Sequence, residues 1–182
     1  MTAVFTNLDR ILIIDLEATC WQGGRPPGEE PEIIEIGNAM LYPAESRVEL
    51  GPEILVQPSR SRVSAFCTEL TGITQEDLDQ RGLPLTEALQ VLAEAHGELA
   101  DLVWGSFGDY DRKKLLGECA MHGLPFPLSE AHINIKRLVA QAYGWPKERG
   151  MMRTLHHLGL QPLPGSRHHR GADDAMNIGM NE

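Results

Sequence analysis

Apolar residues arrive in two rhythms along this chain. Near the beginning they come as short continuous runs, Ile11-Leu12-Ile13-Ile14 and Ile33-Ile34 with Ile36, bounded by polar, glycine and proline residues. Such runs predict buried strands over Ile11 to Glu17 and Ile33 to Leu41, with a third over Glu49 to Gln57. Between the first two, Trp21 to Pro31 carries Gly23, Gly24, Pro26, Pro27 and Gly28, which predicts a mobile loop beside the end of the first strand. Further on the rhythm becomes helical. Thr74-Gln75-Glu76-Asp77 resembles a capping box, and Leu85, Leu89, Leu92, Ala95 and Leu99 repeat at helix spacing. Ala100 to Trp104 then reads as a short buried strand. After it the pattern predicts a helix from about Asp109 to His122, a strand near His132 to Ile135, and helices around Lys136 to Tyr143 and Met151 to Leu158. Strands first, then strands alternating with helices, predict an α/β fold with a mixed central sheet flanked by helices, as one domain over residues 1–182.

Candidate chemistry sits where these elements end. A side-chain period of two turns Asp15 and Glu17 to one face of the first strand and Leu16 to the other. Two like charges so close repel, and a cation between them resolves the conflict. A second group is Gly105-Ser106-Phe107-Gly108-Asp109-Tyr110-Asp111, a glycine-bearing turn from a strand into a helix. Asp109 falls at the N-cap position, where its side chain is expected to accept first-turn amides. Asp111 lines up with Leu115 and Glu118/Cys119 on an inward face, where an acid needs a partner such as a metal, although a solvated first-turn acid fits the same position. The third group is His168-His169-Arg170-Gly171-Ala172-Asp173-Asp174-Ala175. Asp174 shares a face with Ala175 and Ile178, whereas Asp173 goes with Met176, Asn177 and Met180. A histidine on the loop ahead of that helix can take a proton from water near neutral pH. His169 is the choice, with His168 one residue away. The pair His156-His157 has no such context and reads as surface or core histidine.

Composition narrows the setting. The chain of 182 residues is long enough to bury a core without disulfides. Cys20, Cys67 and Cys119 are odd in number and widely spaced, so neither a disulfide framework nor a structural zinc site is expected. No basic-then-apolar leader opens the chain and its apolar runs are short, so a cytoplasmic protein with no membrane association is expected. The formal net charge of −10 argues at first against a nucleic-acid partner. Acids gathered to hold cations would remove much of that conflict.

Taken together, Asp15-x-Glu17, Tyr110-Asp111 and His169-x-x-x-x-Asp174 resemble the three-motif signature of the DEDDh 3′-to-5′ exonuclease superfamily, in order and over nearly the whole chain. The stretches Asp15 to Cys20, Glu32 to Gly37, Phe66 to Thr74 and Ile133 to Lys136 are similar to the exoribonuclease branch that trims small-RNA and histone-message 3′ ends. The resemblance implies an RNase H-like fold and hydrolysis at the 3′ end of RNA, with single-stranded DNA also allowed, releasing nucleoside 5′-monophosphates. It implies two divalent cations, Mg²⁺ or Mn²⁺, held by Asp15, Glu17, Asp111 and Asp174, with His169 as general base. Ala18, Thr19, Leu70 and Thr71 would lie against the terminal nucleotide. Trp21 is near enough to stack on a base and equally suited to be a packing lid. Arg112, Lys113, Lys114, Lys136, Arg137, Arg167 and Arg170 are the candidates for phosphate contact. Two departures from the family pattern carry expectations. Without the extra nucleic-acid-binding modules of larger relatives, substrate choice would come from this domain or a partner. With the chain ending about two turns after Asp174, and Gly179 weakening that last helix, a less firmly held Asp174 is expected.

Overall fold

The computed structural model describes residues 8–161 and 171–179. Five strands form one mixed sheet: β1 Ile11–Ala18, β2 Ile33–Tyr42, β3 Arg47–Leu50, β4 Val103–Ser106 and β5 His132–Asn134. Their order across the sheet is β3-β2-β1-β4-β5. β1 to β3 form an antiparallel meander, and β4 and β5 extend the sheet parallel to β1. The helices are α1 Ala65–Thr71, α2 Gln75–Arg81, α3 Leu85–His96, α4 Tyr110–Met121, α5 Ile135–Ala142, α6 Met151–Leu158 and α7 Gly171–Gly179. This is the mixed sheet flanked by helices that the sequence predicts.

The period of two along β1 divides the core. Leu12, Ile14 and Leu16 pack with Leu85, Ala88, Leu89 and Leu92 of α3 and Leu115 and Cys119 of α4. Ile11 and Ile13 face the opposite way and pack with Ile135 and Val139 of α5, Met151 and Leu155 of α6, and Ala175 and Ile178 of α7. Burying such side chains contributes on the order of 1.5–3 kcal/mol each, so α7 is held by its apolar face. The register places Ile11 opposite Leu41, Ile13 opposite Ala39, Asp15 opposite Gly37 and Glu17 opposite Glu35. One half of this two-strand surface is apolar and the other acidic. A register shift between Glu17 and Ala18 ends the regular pairing beside the acids.

Two predicted elements differ in detail. The third strand is Arg47–Leu50 and not Glu49 to Gln57. Pro52 has no amide to donate, Gly51 donates to Asn38 O, and the Asn38 carboxamide donates to Pro52 O, so pairing breaks there. It resumes as a single bridge between Glu35 and Leu55. The fourth strand lies at Val103–Ser106, after a short helical turn at Leu99–Asp101, and not at Ala100 to Trp104. Gly105 belongs to it because Ile135 Cδ1 would stand 2.9 Å from any β-carbon there. A helix for which no element is predicted, α1, is closed by Leu70 and Thr71 and ends on Gly72 in the left-handed conformation. The capping box holds, with Thr74 and Asp77 bonded reciprocally. Among the described residues no helix is long and apolar enough to cross a membrane.

Candidate active site at the carboxyl ends of β1 and β4

Asp15 and Glu17 project from β1 onto the face that α7 covers. α7 starts directly over this point because the strand pair has a gap there: a β-carbon on Gly37 would lie 1.8 Å from the Gly171 carbonyl carbon. Gly171 in turn has Asp15 O and Gly37 N each 3.0 Å from where its own β-carbon would be. Two glycines therefore let the backbones meet, and one turn later Asp174 is buried against the strand acids. One carboxylate oxygen from each of Asp15, Glu17 and Asp174 lies within 4.8 Å of the other two. Asp174 is 4% exposed, so the expectation of a loosely held Asp174 does not apply to its packing.

Asp111 approaches from the other side of the sheet. Asp111, Leu115, Glu118 and Cys119 form the buried face of α4, as the spacing predicts. The amide of Leu16, between the two β1 acids, donates to Asp111 Oδ1 at 3.0 Å. Asp109, two residues earlier, occupies the N-cap position but makes no side-chain cap bond. Its carboxylate instead pairs with Arg137 at 3.3 Å, a correction to the expected capping role.

The charges are mutually unfavourable without a cation. Burial, then Asp111, Glu17, Asp174 and Glu35, push the Asp15 carboxyl well above the ordinary carboxylate range. Burial likewise lifts Asp111 to about 6, against hydrogen bonds from the Leu16 amide, its own amide and the Ser106 hydroxyl that pull it down. Hard carboxylate oxygens converging at this spacing suit a divalent cation such as Mg²⁺ or Mn²⁺. The donor set therefore fits a metal centre.

Beside the acids opens a cavity of about 300 Å³ lined by Glu17, Ala18, Trp21, Arg25, Leu70 and Tyr110 among others. Glu17 belongs to both, which joins the cavity to the acid cluster. Tyr110 is 56% exposed, but desolvation of its hydroxyl beside the site, and then Asp111 and Glu17, raise that hydroxyl to about 12, so it keeps its proton. Cys20, also in the wall, is raised to about 12 by burial and then Cys67, so it presents a thiol and no thiolate. The wall is pinned from behind: Thr19 Oγ1 accepts the Glu32 amide at 2.9 Å and shares a hydrogen bond with Ser61. Burial disfavours ionised Glu32, but hydrogen bonds from Ser59, Ser61 and Arg60 outweigh it and hold the carboxyl at about 2.

Of the residues expected against a nucleotide, Ala18, Thr19, Trp21 and Leu70 line this cavity, with the Thr19 hydroxyl committed to the wall. Thr71 is buried, its hydroxyl donating to Cys67 O and accepting the Ile73 amide. Of the phosphate candidates, Lys114 is engaged with Glu118 and the Pro31 carbonyl, and Arg137 with Asp109 and Glu148. His168, His169, Arg167 and Arg170 lie outside the described residues. Sequence reasoning missed Glu35, whose Oε2 accepts the Gly171 amide at 2.9 Å. The available signal was an acid inside the apolar run Ile33-Ile34-Glu35-Ile36, a place where an acid is seldom found unless it is paired.

Residues 12–179 match the RNase_T family model, described as exonuclease. ERI1 exoribonuclease 3 of Homo sapiens is 35% identical over 178 residues, covering 92% of this chain and 50% of that protein. The 3′-5′ exonuclease Snipper of Drosophila melanogaster is 32% identical over 192 aligned positions, covering 93% of this chain and 66% of that protein. Among solved structures, the nuclease domain of 3′hExo, a DEDDh family member bound to rAMP, superposes with a TM-score of 0.81 at 30% identity, covering 95% of this chain and 89% of that one. The chain spans about half the length of the ERI1 exoribonuclease 3 proteins it matches.

Proposed function

This chain belongs to the RNase_T exonuclease family, and from that premise we propose that it is a metal-dependent 3′-to-5′ exonuclease acting on the 3′ end of RNA. The convergence of Asp15, Glu17 and Asp174 within 4.8 Å, beside a nucleotide-sized cavity that shares Glu17, is the observation that carries the reading. An acid cluster this unfavourable to itself is what a cation-dependent hydrolase requires and what a folding core avoids. RNA is chosen over DNA because the relatives named above include exoribonucleases and a structure with rAMP bound.

Asp15, Glu17, Asp111 and Asp174 would hold two divalent cations, Mg²⁺ or Mn²⁺. When bound, these supply Lewis-acid activation of the attacking water and stabilise the departing 3′ oxygen. The protein's own share is positioning. Leu16 keeps Asp111 oriented through its amide, and the Gly37 to Gly171 contact keeps Asp174 in line with the β1 acids. In the cavity, Trp21 offers a ring to the terminal base, and the protonated Tyr110 hydroxyl can donate to a sugar or phosphate oxygen. An imidazole nitrogen of His169 would accept the proton of the water, in keeping with the spacing of His169 ahead of Asp174. Product would leave as a nucleoside 5′-monophosphate.

The test is hydrolysis of 5′-labelled single-stranded RNA and of DNA of the same sequence, with Mg²⁺, Mn²⁺ or chelator. A metal-dependent ladder shortening from the 3′ end, abolished by Asp15→Ala and slowed roughly 10²–10⁴-fold in kcat by His169→Ala, is expected. Internal cuts, or shortening that persists in Asp15→Ala, would reject the proposal.

A further inference from the structure

A second surface has the composition of a nucleic-acid contact, although the chain as a whole is acidic. Residues 131–161 contain five Lys or Arg (Lys136, Arg137, Lys147, Arg149 and Arg153) against one acid, Glu148, in a chain whose net charge is −10. The basic groups are not spread evenly over this stretch. Arg149, Met152, Arg153, His156 and His157 line an open groove of about 440 Å³ along α6. The helix buries Met151, Thr154 and Leu155 against the core, so the turn geometry directs Arg153, His156 and His157 to the opposite, exposed side.

Two features suit this groove to a polyanion. The first is the state of its cations. Arg47, Arg60, Arg81 and Arg137 each hold carboxylates, whereas among the described residues neither Arg149 nor Arg153 forms an ion pair. The second is an aromatic wall. The Arg149 guanidinium lies 4.4 Å from the centroid of the Trp145 ring. His157 meets that ring edge-on at 4.9 Å, and Tyr143, 60% exposed, lies 5.6 Å from it. Guanidinium and aromatic planes set side by side bind nucleic-acid strands in two ways, by charge at the phosphates and by stacking at the bases. An acidic peptide would use only the first, and that difference favours a polynucleotide.

The groove is also connected to the catalytic edge. Arg137 bridges Asp109, two residues before Asp111, to Glu148, which directly precedes Arg149. Arg137 thereby ties the turn that leads into α4, and so to Asp111, to the segment that carries Arg149.

We propose that the Arg149, Arg153, His156 and His157 groove, with Trp145, is a second binding site for the phosphodiester backbone of a nucleic-acid strand, upstream of the 3′ end held at the acid cluster. The 3′-end part of this statement rests on the exonuclease reading. Binding at the groove does not.

The experiment measures binding, so it is independent of hydrolysis. A 5′-fluorescein single-stranded RNA of about 24 nucleotides is titrated with the protein in chelator, by anisotropy, over a range of salt concentrations. The double variant Arg149→Glu/Arg153→Glu should weaken binding at least about 10-fold and make the slope of log affinity against log salt shallower by about 1.4, two phosphate contacts on a single strand. Arg149→Lys/Arg153→Lys should keep the slope. If the reversed pair unfolds the protein, Arg149→Gln/Arg153→Gln gives the same reading with a milder change. Unchanged affinity and slope in either double variant would overturn the proposal. So would RNA binding that stays intact while binding of polyglutamate is lost, which would assign the groove to an acidic protein. Failure of the exonuclease reading would instead appear as RNA bound through the groove and never shortened when metal is added.

Discussion

Glu35 Oε2 accepts the backbone amide of Gly171 at 2.9 Å, a hydrogen bond between residues 136 positions apart. It caps the first turn of α7, whose leading amides have no partner within the helix. It also places one more negative charge beside Asp15. These two effects have opposite signs and can be separated. Glu35→Ala leaves the Gly171 amide unsatisfied and should cost about 1–3 kcal/mol. Glu35→Gln keeps an acceptor and removes the charge, so in chelator it should stand at or above wild-type stability. Urea unfolding checks this; a glutamine variant as weak as the alanine variant would show that the charge, and not the acceptor, is what matters.

Gly37→Ala addresses the same junction sterically. The added methyl would sit 1.8 Å from Gly171 C and 2.0 Å from Gly171 O, which is backbone that cannot rotate away. Either α7 lifts from the strand pair or the strands deform, at a cost near the upper end of about 1–3 kcal/mol. Because Asp174 rides on α7, hydrolysis should fall by more than the stability loss predicts, with kcat affected more than KM. Alanine at the open Gly117 position, with nothing within 4 Å, is the control and should leave both close to wild type.

This junction also marks what the sequence makes legible. The two-residue period correctly separated Asp15 and Glu17 from Leu16, and the helical period correctly chose Asp111, Leu115, Glu118 and Cys119 as one buried face. Both are local rules acting within a single element. Glu35 and Gly37 escaped because their roles depend on cross-strand register and on a helix 136 residues away. The third strand differs from the expectation because a break at Gly51-Pro52 depends on where the Asn38 side chain goes. His156 and His157 had no context in sequence; it arises only when Trp145 and Arg149 fold back beside them.

Asp111 gives a pH dependence of definite sign. Its folded-state pKa is raised from 3.8 to about 6, so between those values the folded protein binds more protons than the unfolded chain. Its contribution to stability is therefore lost as pH rises through that window. Glu32, His96 and His132 also titrate, but they are common to wild type and Asp111→Asn and cancel in the difference, whereas Asp15, which Asp111 raises, is relieved in the variant and adds to the gain with the same sign. In chelator, Asp111→Asn should gain on wild type between about pH 4 and 6, with about 3 kcal/mol of the gain coming from the shift of Asp111 itself. Asparagine can still accept the Leu16 amide, so the fold is kept. Denaturation at a series of pH values checks it, and a flat difference would mean that Asp111 is not held protonated.

Asp15→Asn carries the same physics to the centre of the cluster. Burial and four neighbouring acids make an ionised Asp15 unfavourable in the metal-free fold. Its neutral isostere should therefore raise the melting temperature in chelator, by about 2–4 °C for each kcal/mol recovered. In wild type, Mg²⁺ or Mn²⁺ should raise the melting temperature at neutral pH, because a ligand that binds only the folded state stabilises it by RT ln(1 + L/Kd), where L is the free ligand concentration. The variant should lose most of that rise along with its hydrolytic activity. Wild type and variant would then exchange rank: the variant more stable in chelator, wild type the more strongly stabilised by metal. A site selected for stability would not behave this way, since removing one of its carboxylates would weaken the protein under both conditions. A variant that melts below wild type in chelator, or that keeps the full metal-induced rise, would remove Asp15 from the centre of the cation site.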